Sequence, residues 1–224
     1  HHRQGDEQTW NQQLFTRCLC PLFFKLSFET KMKDYMMWRD GERKRILSTP
    51  IFSVDKIERT SPEGKKGDFI VMENPDWVSV IPLMWKEGEG YVFIMVDQYR
   101  HGLSRVTREF PAGLVDEGED EESAARRELL EETGMTGDLE KIASFNPNPA
   151  FMTNRQTFFL STNLKKVSGQ KLDEFEEIEV SYVPVSQVIE EMGSGIYDIG
   201  IMMAALGAFL RYRTLHPEIM EEKE

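Results

Sequence analysis

Residues 113–135 read GLVDEGEDEESAARRELLEETGM, and the spacing inside this stretch decides how the rest of the chain is read. Gly113, Glu119, Arg127, Glu128, Leu129, Glu131, Glu132, Gly134 and Met135 fall on the pattern G-x5-E-x7-R-E-U-x-E-E-x-G-U, with U apolar. From about Glu121 to Thr133 there is no Gly or Pro, and the good helix formers Ala, Leu, Arg and Glu predominate. Acidic residues crowd the first turn, where the helix dipole favours them, and Gly134 supplies a C-terminal stop. On such a helix Glu128, Glu131 and Glu132 stand at i, i+3 and i+4, which brings their Cβ atoms within about 5–6 Å on one face. Ala124, Ala125 and Leu129 are left to pack on a sheet, the alanines allowing close approach.

Three carboxylates packed this way repel one another unless a hard cation lies among them. Mg²⁺ prefers oxygen ligands, keeps several waters and bridges to substrate phosphates. A solvated acidic face, or an Arg127–Glu131 surface pair worth about a few tenths of a kcal/mol, would not require glycines at fixed distances on both sides. The segment therefore reads as a metal site, for Mg²⁺ or, in its place, Mn²⁺.

The 224-residue chain allows one large domain or a domain with a smaller companion. Hydrophobic residues make up 40%, including 14 Phe and 12 Met, enough for a sizeable core. The formal net charge of −12 argues against nucleic acid as a partner. It also sharpens the metal argument, because an anionic ligand enters an acidic cleft only where divalent ions invert the local field.

Residues 1–34 read differently from the rest. His1–His2 and the polar run to Gln13 have the character of a tag remnant or disordered leader. Leu14–Phe28 is interrupted by Arg17, Pro21 and Lys25, so it predicts neither a membrane span nor a secretory segment. Cys18 and Cys20 form an isolated C-x-C, expected as reduced thiols. The composition suits a soluble cytoplasmic protein.

From Tyr35 the pattern becomes strand-like. Ile46–Leu47, Pro50–Ile57 and Phe69–Glu73 are short β-rich runs, with a turn at Ser61–Gly64. Val78–Trp85 and Tyr91–Gln98 are apolar strands around the Lys86–Gly90 turn. Lys141–Phe145, Gln156–Thr162 and Ile178–Pro184 follow as strands, then helices at Ser186–Met192 and Asp198–Leu215. The expected division is a leader over 1–34, an N-terminal β domain over 35–75, the main domain over 76–216 and a tail over 217–224.

The 113–135 pattern is that of the Nudix box, and the chain resembles the Nudix hydrolases. Val96-Asp-Gln-Tyr-Arg-His-Gly102 and Arg108-Glu-Phe-Pro-Ala-Gly113 are similar to the Q-Y/F-R strand end and E-x-P-A-G lead-in of the ADP-ribose pyrophosphatase branch. The resemblance implies an α+β fold, an α/β/α sandwich with a mixed sheet plus a small N-terminal antiparallel β domain. It implies metal-dependent hydrolysis of a nucleoside diphosphate linked to a sugar, such as ADP-ribose to AMP and ribose 5-phosphate. Another nucleotide sugar, a dinucleotide such as NADH or FAD, or a non-catalytic ligand-sensing module are the alternatives.

Carried over residue by residue, the resemblance makes Glu128, Glu132 and the Ala112 carbonyl the metal ligands, with Glu131 serving a further metal or its waters and Arg127 orienting it. Arg100 matches an arginine on the phosphates. Glu109 is either its support or an ordinary ion pair, and Trp77 is either a stacking platform for the base or a packing residue. The general base comes from a loop after the box, which here is Asp173-Glu-Phe-Glu-Glu177, with Glu174 the first choice, Glu176 the second and Glu131 the fallback. Where the family often reads P-G-x-x-[ST]-E, this chain has Pro149-Ala-Phe-Met-Thr-Asn154. Asn154 replaces an acid by an amide, which adds donors and is expected to alter substrate preference. The short N-terminal strands cannot stabilise themselves, and the resemblance implies a two-fold homodimer that covers them.

Overall fold

A computed structural model describes residues 34–221. The leader, its two cysteines and the last residues of the tail lie outside the described residues, and with them the expectations for those segments.

Two sheets organise the chain. The first is antiparallel and three-stranded, with β1 (Arg39–Ser48), β2 (Ser53–Thr60) and β3 (Lys66–Glu73) in that spatial order. The second contains β4 (Trp77–Lys86), β5 (Gly90–Arg100), β6 (Arg105–Glu109), β7 (Ala112–Leu114), β8 (Met135–Phe145), β9 (Gln156–Lys166) and β10 (Ile178–Pro184). Its main path runs β10-β5-β4-β9-β8, with β6 added to β5 and β7 to β4. Within it β4 and β9 are parallel and the other pairings antiparallel, so the sheet is mixed.

The period-2 alternation of β4 explains the layers. Val78 and Val80 point to one face, where they pack with Phe159 against Ala124, Ala125 and Leu129 of α1 (Glu121–Thr133). Ile81 and Leu83 belong to the larger core, with Phe93, Phe110, Phe158 and Leu160. That core is closed by α2 (Val185–Glu191) and α3 (Gly200–Leu215), through Val188, Met202, Leu206 and Phe209. Helices therefore cover both faces, and β4 is buried continuously from Val78 to Leu83. The expected α/β/α sandwich with a small antiparallel N-terminal sheet is the fold observed.

Several boundaries move. The strand pattern expected from Tyr35 begins at Arg39, after a short 3-10 turn at Asp34–Met36, and Pro50 lies in a turn before β2. β8 starts at Met135, directly after α1, instead of near Lys141. β6 and β7 were not visible in the pattern at all. The last two helices begin within two residues of their expected starts.

The small sheet joins the large one through main-chain contacts. Met72 N–H donates to the Phe151 carbonyl at 2.7 Å and Thr153 N–H to the Met72 carbonyl at 3.1 Å. These lay residues 72–77 alongside 151–156, a junction that borders the site described next. No helix among the described residues is long and apolar enough to cross a membrane.

Candidate active site

The site is built on α1, whose ends are both fixed by side-chain and loop contacts. At its start, the Asp120 carboxylate accepts from the Ser123 N–H at 2.9 Å and from the Ser123 hydroxyl at 2.8 Å. At its end, Gly134 adopts φ 66° and donates to the Leu130 carbonyl at 2.7 Å. A side chain at Gly134 would also overlap the Ser168 carbonyl.

The last carbonyls of α1 are taken up by the segment that leads to the acidic loop. Lys166 Nζ donates to Thr133 O at 2.6 Å, Gln170 Nε2 to Glu132 O at 2.6 Å and Lys171 N–H to Glu131 O at 2.8 Å. The loop proposed to carry the base is thereby anchored to the turn that bears the helix carboxylates.

β7 pairs with Trp77–Ser79 and lies across the carboxylate face. Ala112 N–H donates to Glu132 Oε2 at 3.2 Å. Glu128 presses against Gly113 so closely that a Cβ there would overlap its carboxylate. Arg127 ties the motif together, reaching Leu114 O at 2.9 Å, Glu119 at 3.0 Å, Glu128 at 2.7 Å and Glu131 at 3.3 Å. The orienting role expected toward Glu131 is thus one of several contacts. Glu119, a box position that carried no assigned role, is the arginine's anchor.

Glu128, Glu131, Glu132, Ala112, Arg100, Trp77 and Glu176 open onto one cleft of about 420 Å³. Its electrostatics are those of carboxylates short of cations. Glu132 is 4% exposed; burial, then the charge of Glu128, pushes it up to about 9, against the pull of the Ala112 N–H. Burial raises Glu128 as well, opposed by Arg127. Arg127 is shared among four carboxylates, Asp116, Glu119, Glu128 and Glu131, and the other nearby guanidinium, Arg100, is engaged elsewhere. Its Nε and Nη2 lie 2.6 and 2.7 Å from the two oxygens of buried Glu109, which Thr107 also contacts at 2.7 Å. Glu109 and Arg100 therefore form a two-point ion pair beside the cleft.

Among the described residues no three acidic, histidine or cysteine side chains already stand at ion-holding spacing. Glu128 is turned toward Gly113 and Arg127, and Glu132 toward Ala112. The donor set nonetheless fits a hard divalent cation, because it is all oxygen and gathers three carboxylates around a single shared guanidinium.

The remaining expected residues divide between two places. Asp173 and Glu176 line the cleft, whereas Glu174 is exposed and outside the lining. A turn closes between them, with Glu176 N–H on Asp173 O at 3.0 Å and Asp173 N–H on Glu176 Oε2 at 3.2 Å. Phe175 at its tip is 90% exposed. Asn154 lies in a second, adjoining pocket that shares Trp77, Arg100 and Ala112 with the acidic cleft. Gln98, Asp116 and Asp173 also line the cleft without having been singled out. Gln98 lay within the Q-Y-R motif and Asp173 within the acidic loop, but only the tertiary fold brings them to α1.

This combination of sandwich, bracketed carboxylate helix and supporting arginine defines a class, and comparison with known proteins agrees. The NUDIX domain model matches residues 74–199. The chain belongs to this family and is a Nudix hydrolase. It is 35% identical over 167 residues to an ADP-ribose pyrophosphatase of Bacillus subtilis (strain 168), covering 70% of this chain and 87% of that protein. It is 31% identical over 173 residues to a methanol dehydrogenase activator of Bacillus methanolicus, covering 73% and 90%. A crystal structure of an ADP compounds hydrolase shares the fold, with TM-score 0.72 and 19% identity, over 82% of this chain and 98% of that one. Nudix hydrolases generally require divalent metal ions.

Proposed function

We propose that the protein hydrolyses the pyrophosphate bond of a nucleoside diphosphate linked to a sugar, with ADP-ribose yielding AMP and ribose 5-phosphate. The metal would be Mg²⁺, with Mn²⁺ able to replace it, and the setting cytoplasmic. The observation that carries this reading is that the carboxylate face of α1 and Arg100 open onto the same cleft. An anionic diphosphate and a row of carboxylates share a site only when divalent cations stand between them. Similarity to an ADP-ribose pyrophosphatase along most of both chains supports the choice of substrate.

Glu128, Glu131, Glu132 and the Ala112 carbonyl would hold the metal. When bound, divalent ions neutralise phosphate oxygens and lower the pKa of the attacking water. Arg100, braced by Glu109, keeps further N–H donors for phosphate oxygens. Glu176 takes the water's proton ahead of Glu174, because it lines the cleft and Glu174 does not. The water oxygen bonds to one phosphorus, the P–O bond of the bridge breaks, and the other phosphate leaves.

The protein would act as a homodimer. Ile46, Leu47 and Ile51 are exposed around β1 and its turn, and Phe69 and Ile70 on β3. A second copy provides the surface these residues lack.

Release of monophosphates from a panel of ADP-ribose, other nucleotide sugars, NADH and FAD, with Mg²⁺ and Mn²⁺, tests the reading. ADP-ribose is expected to give the highest kcat/KM. A higher value for NADH or FAD would reassign the substrate, and no release from any compound would refute the hydrolytic role.

A further inference from the structure

One side chain ties both ends of the acidic loop to α1. Gln170 Nε2 donates to Glu132 O at 2.6 Å and to Ile178 O at 3.1 Å. The first acceptor belongs to the last turn of the helix, where carbonyls have no partner within the helix. The second belongs to the first residue of β10, which is buried and pairs with Gln98 in the wall of the cleft. An amide group has two N–H donors, and here both are used, one toward the helix and one toward the strand. With two carbonyls facing it, only the donor end of the amide suits this place.

Residues 171–177 lie between these two ends, and Asp173 and Glu176 are the members that line the cleft. Inside the loop those two bond to each other. At the root, Lys171 N–H on Glu131 O is a main-chain bond that almost any residue could make. The bridge from α1 to β10 is different, since it needs both the length and the paired donors of Gln170. Glu132 links this bridge to the site, because its carbonyl receives Gln170 while its side chain lines the cleft. Gln170 itself is outside the cleft lining, so its influence on the site runs through the loop that it holds.

We propose that Gln170 is a positioning residue for the hydrolysis, holding Glu176 at the distance from the α1 carboxylates that proton transfer requires. This rests on the reading of Glu176 as the proton acceptor. Loss of the bridge leaves the oxygen donors of α1 where they are and frees the loop. It therefore removes an interaction realised in the transition state and lowers kcat, with KM little changed. Misplacing a reacting group by about 1 Å can cost on the order of 10²-fold. With Lys171 still holding the root, the loss here is expected to be on the order of tenfold.

A double-mutant cycle on the full-length protein tests this, with kcat and KM measured at saturating Mg²⁺ on the most active compound of the panel above. Gln170→Met keeps the length of the side chain and removes both donors. Alone it is expected to lower kcat on the order of tenfold. In the Glu176→Gln background it should cost nothing further, because a residue that acts only through Glu176 has no effect once that carboxylate is gone. The same loss in both backgrounds overturns the proposal, as does wild-type kcat in Gln170→Met or a loss that falls on KM. Should Gln170→Met fail to fold, Gln170→Asn, too short to reach both carbonyls, takes its place in the cycle. If Glu176→Gln alone leaves kcat unchanged, the base assignment falls and takes the proposal with it. If Glu176→Gln lowers kcat and the two losses multiply, Gln170 alone is excluded and Glu176 stands.

Discussion

The Glu128 carboxylate fills the space that any side chain on Gly113 would need. The first glycine of the motif is thus required by a close approach of strand to helix, since its backbone is not in the left-handed region. Gly113→Ala should displace the Glu128 carboxylate from its place against this strand and lower turnover by orders of magnitude while circular dichroism stays native. Glu128→Gln and Glu132→Gln keep size and helix propensity but remove a hard anionic donor, and metal activation contributes several kcal/mol to such transition states. Steady-state rates at saturating Mg²⁺ provide the check. Near wild-type turnover in both glutamine variants would exclude them as metal ligands.

The proton acceptor is tested on the loop after β9. Glu176→Gln is expected to lower kcat by about 10²–10⁴-fold, the usual cost of losing a general base, with the Mg²⁺ dependence unchanged. Glu174→Gln should have little effect, because Glu174 lies outside the cleft lining. The reverse ranking would mean that the loop closes on substrate in a different arrangement. No effect in either variant would return the role to Glu131.

Asp55 makes the small sheet sensitive to acid. Its side chain, on a residue 1% exposed, is held by Arg45 and by Arg43, the latter at 2.6 Å. The hydrogen bond from Arg45, followed by that from Arg43, keeps the carboxyl below its usual 3.8 despite burial. A depressed folded-state pKa gives stability that is present above the unfolded value and lost as pH falls through the folded one. Asp55→Asn should therefore melt lower than wild type at pH 7, with the gap closing below about pH 4. Melting curves recorded across pH 3–7 test this, and a gap independent of pH would show that the ion pairs contribute nothing.

What the sequence revealed follows from where the information lies. α1 could be read to its last residue because helix propensity, caps and carboxylate spacing all agree within one short segment. Glu128, Glu131 and Glu132 were legible for the same local reason. β1 was half hidden, since Arg39–Arg45 is charged and exposed, and is held by pairing with β2 and by ion pairs to Asp55. β7 is the tripeptide Ala-Gly-Leu, a strand only because Trp77–Ser79 pairs with it. The start of β8 contains Gly137 and Asp138 at a register shift against β9, which blurs the alternation. Glu174 and Glu176 could not be told apart by position, because they are two residues apart and only the turn around Phe175 places one on the cleft and the other toward solvent.

The state of assembly gives the last prediction. Among the described residues, Ile57 and Val71 are buried in the three-stranded sheet, yet Ile46, Leu47 and Ile70 stay exposed. Three strands with one open apolar face gain by covering it, and a closed two-fold pair is the commonest solution. Light scattering at micromolar concentration should return twice the chain mass of 26.0 kDa. Ile46→Asp together with Leu47→Asp, on a strand already exposed along its length, should shift that mass toward the monomer without unfolding the large sheet. If the wild-type protein is a monomer with full activity, the second copy is no part of the site, and the carboxylate helix with its cleft must act alone.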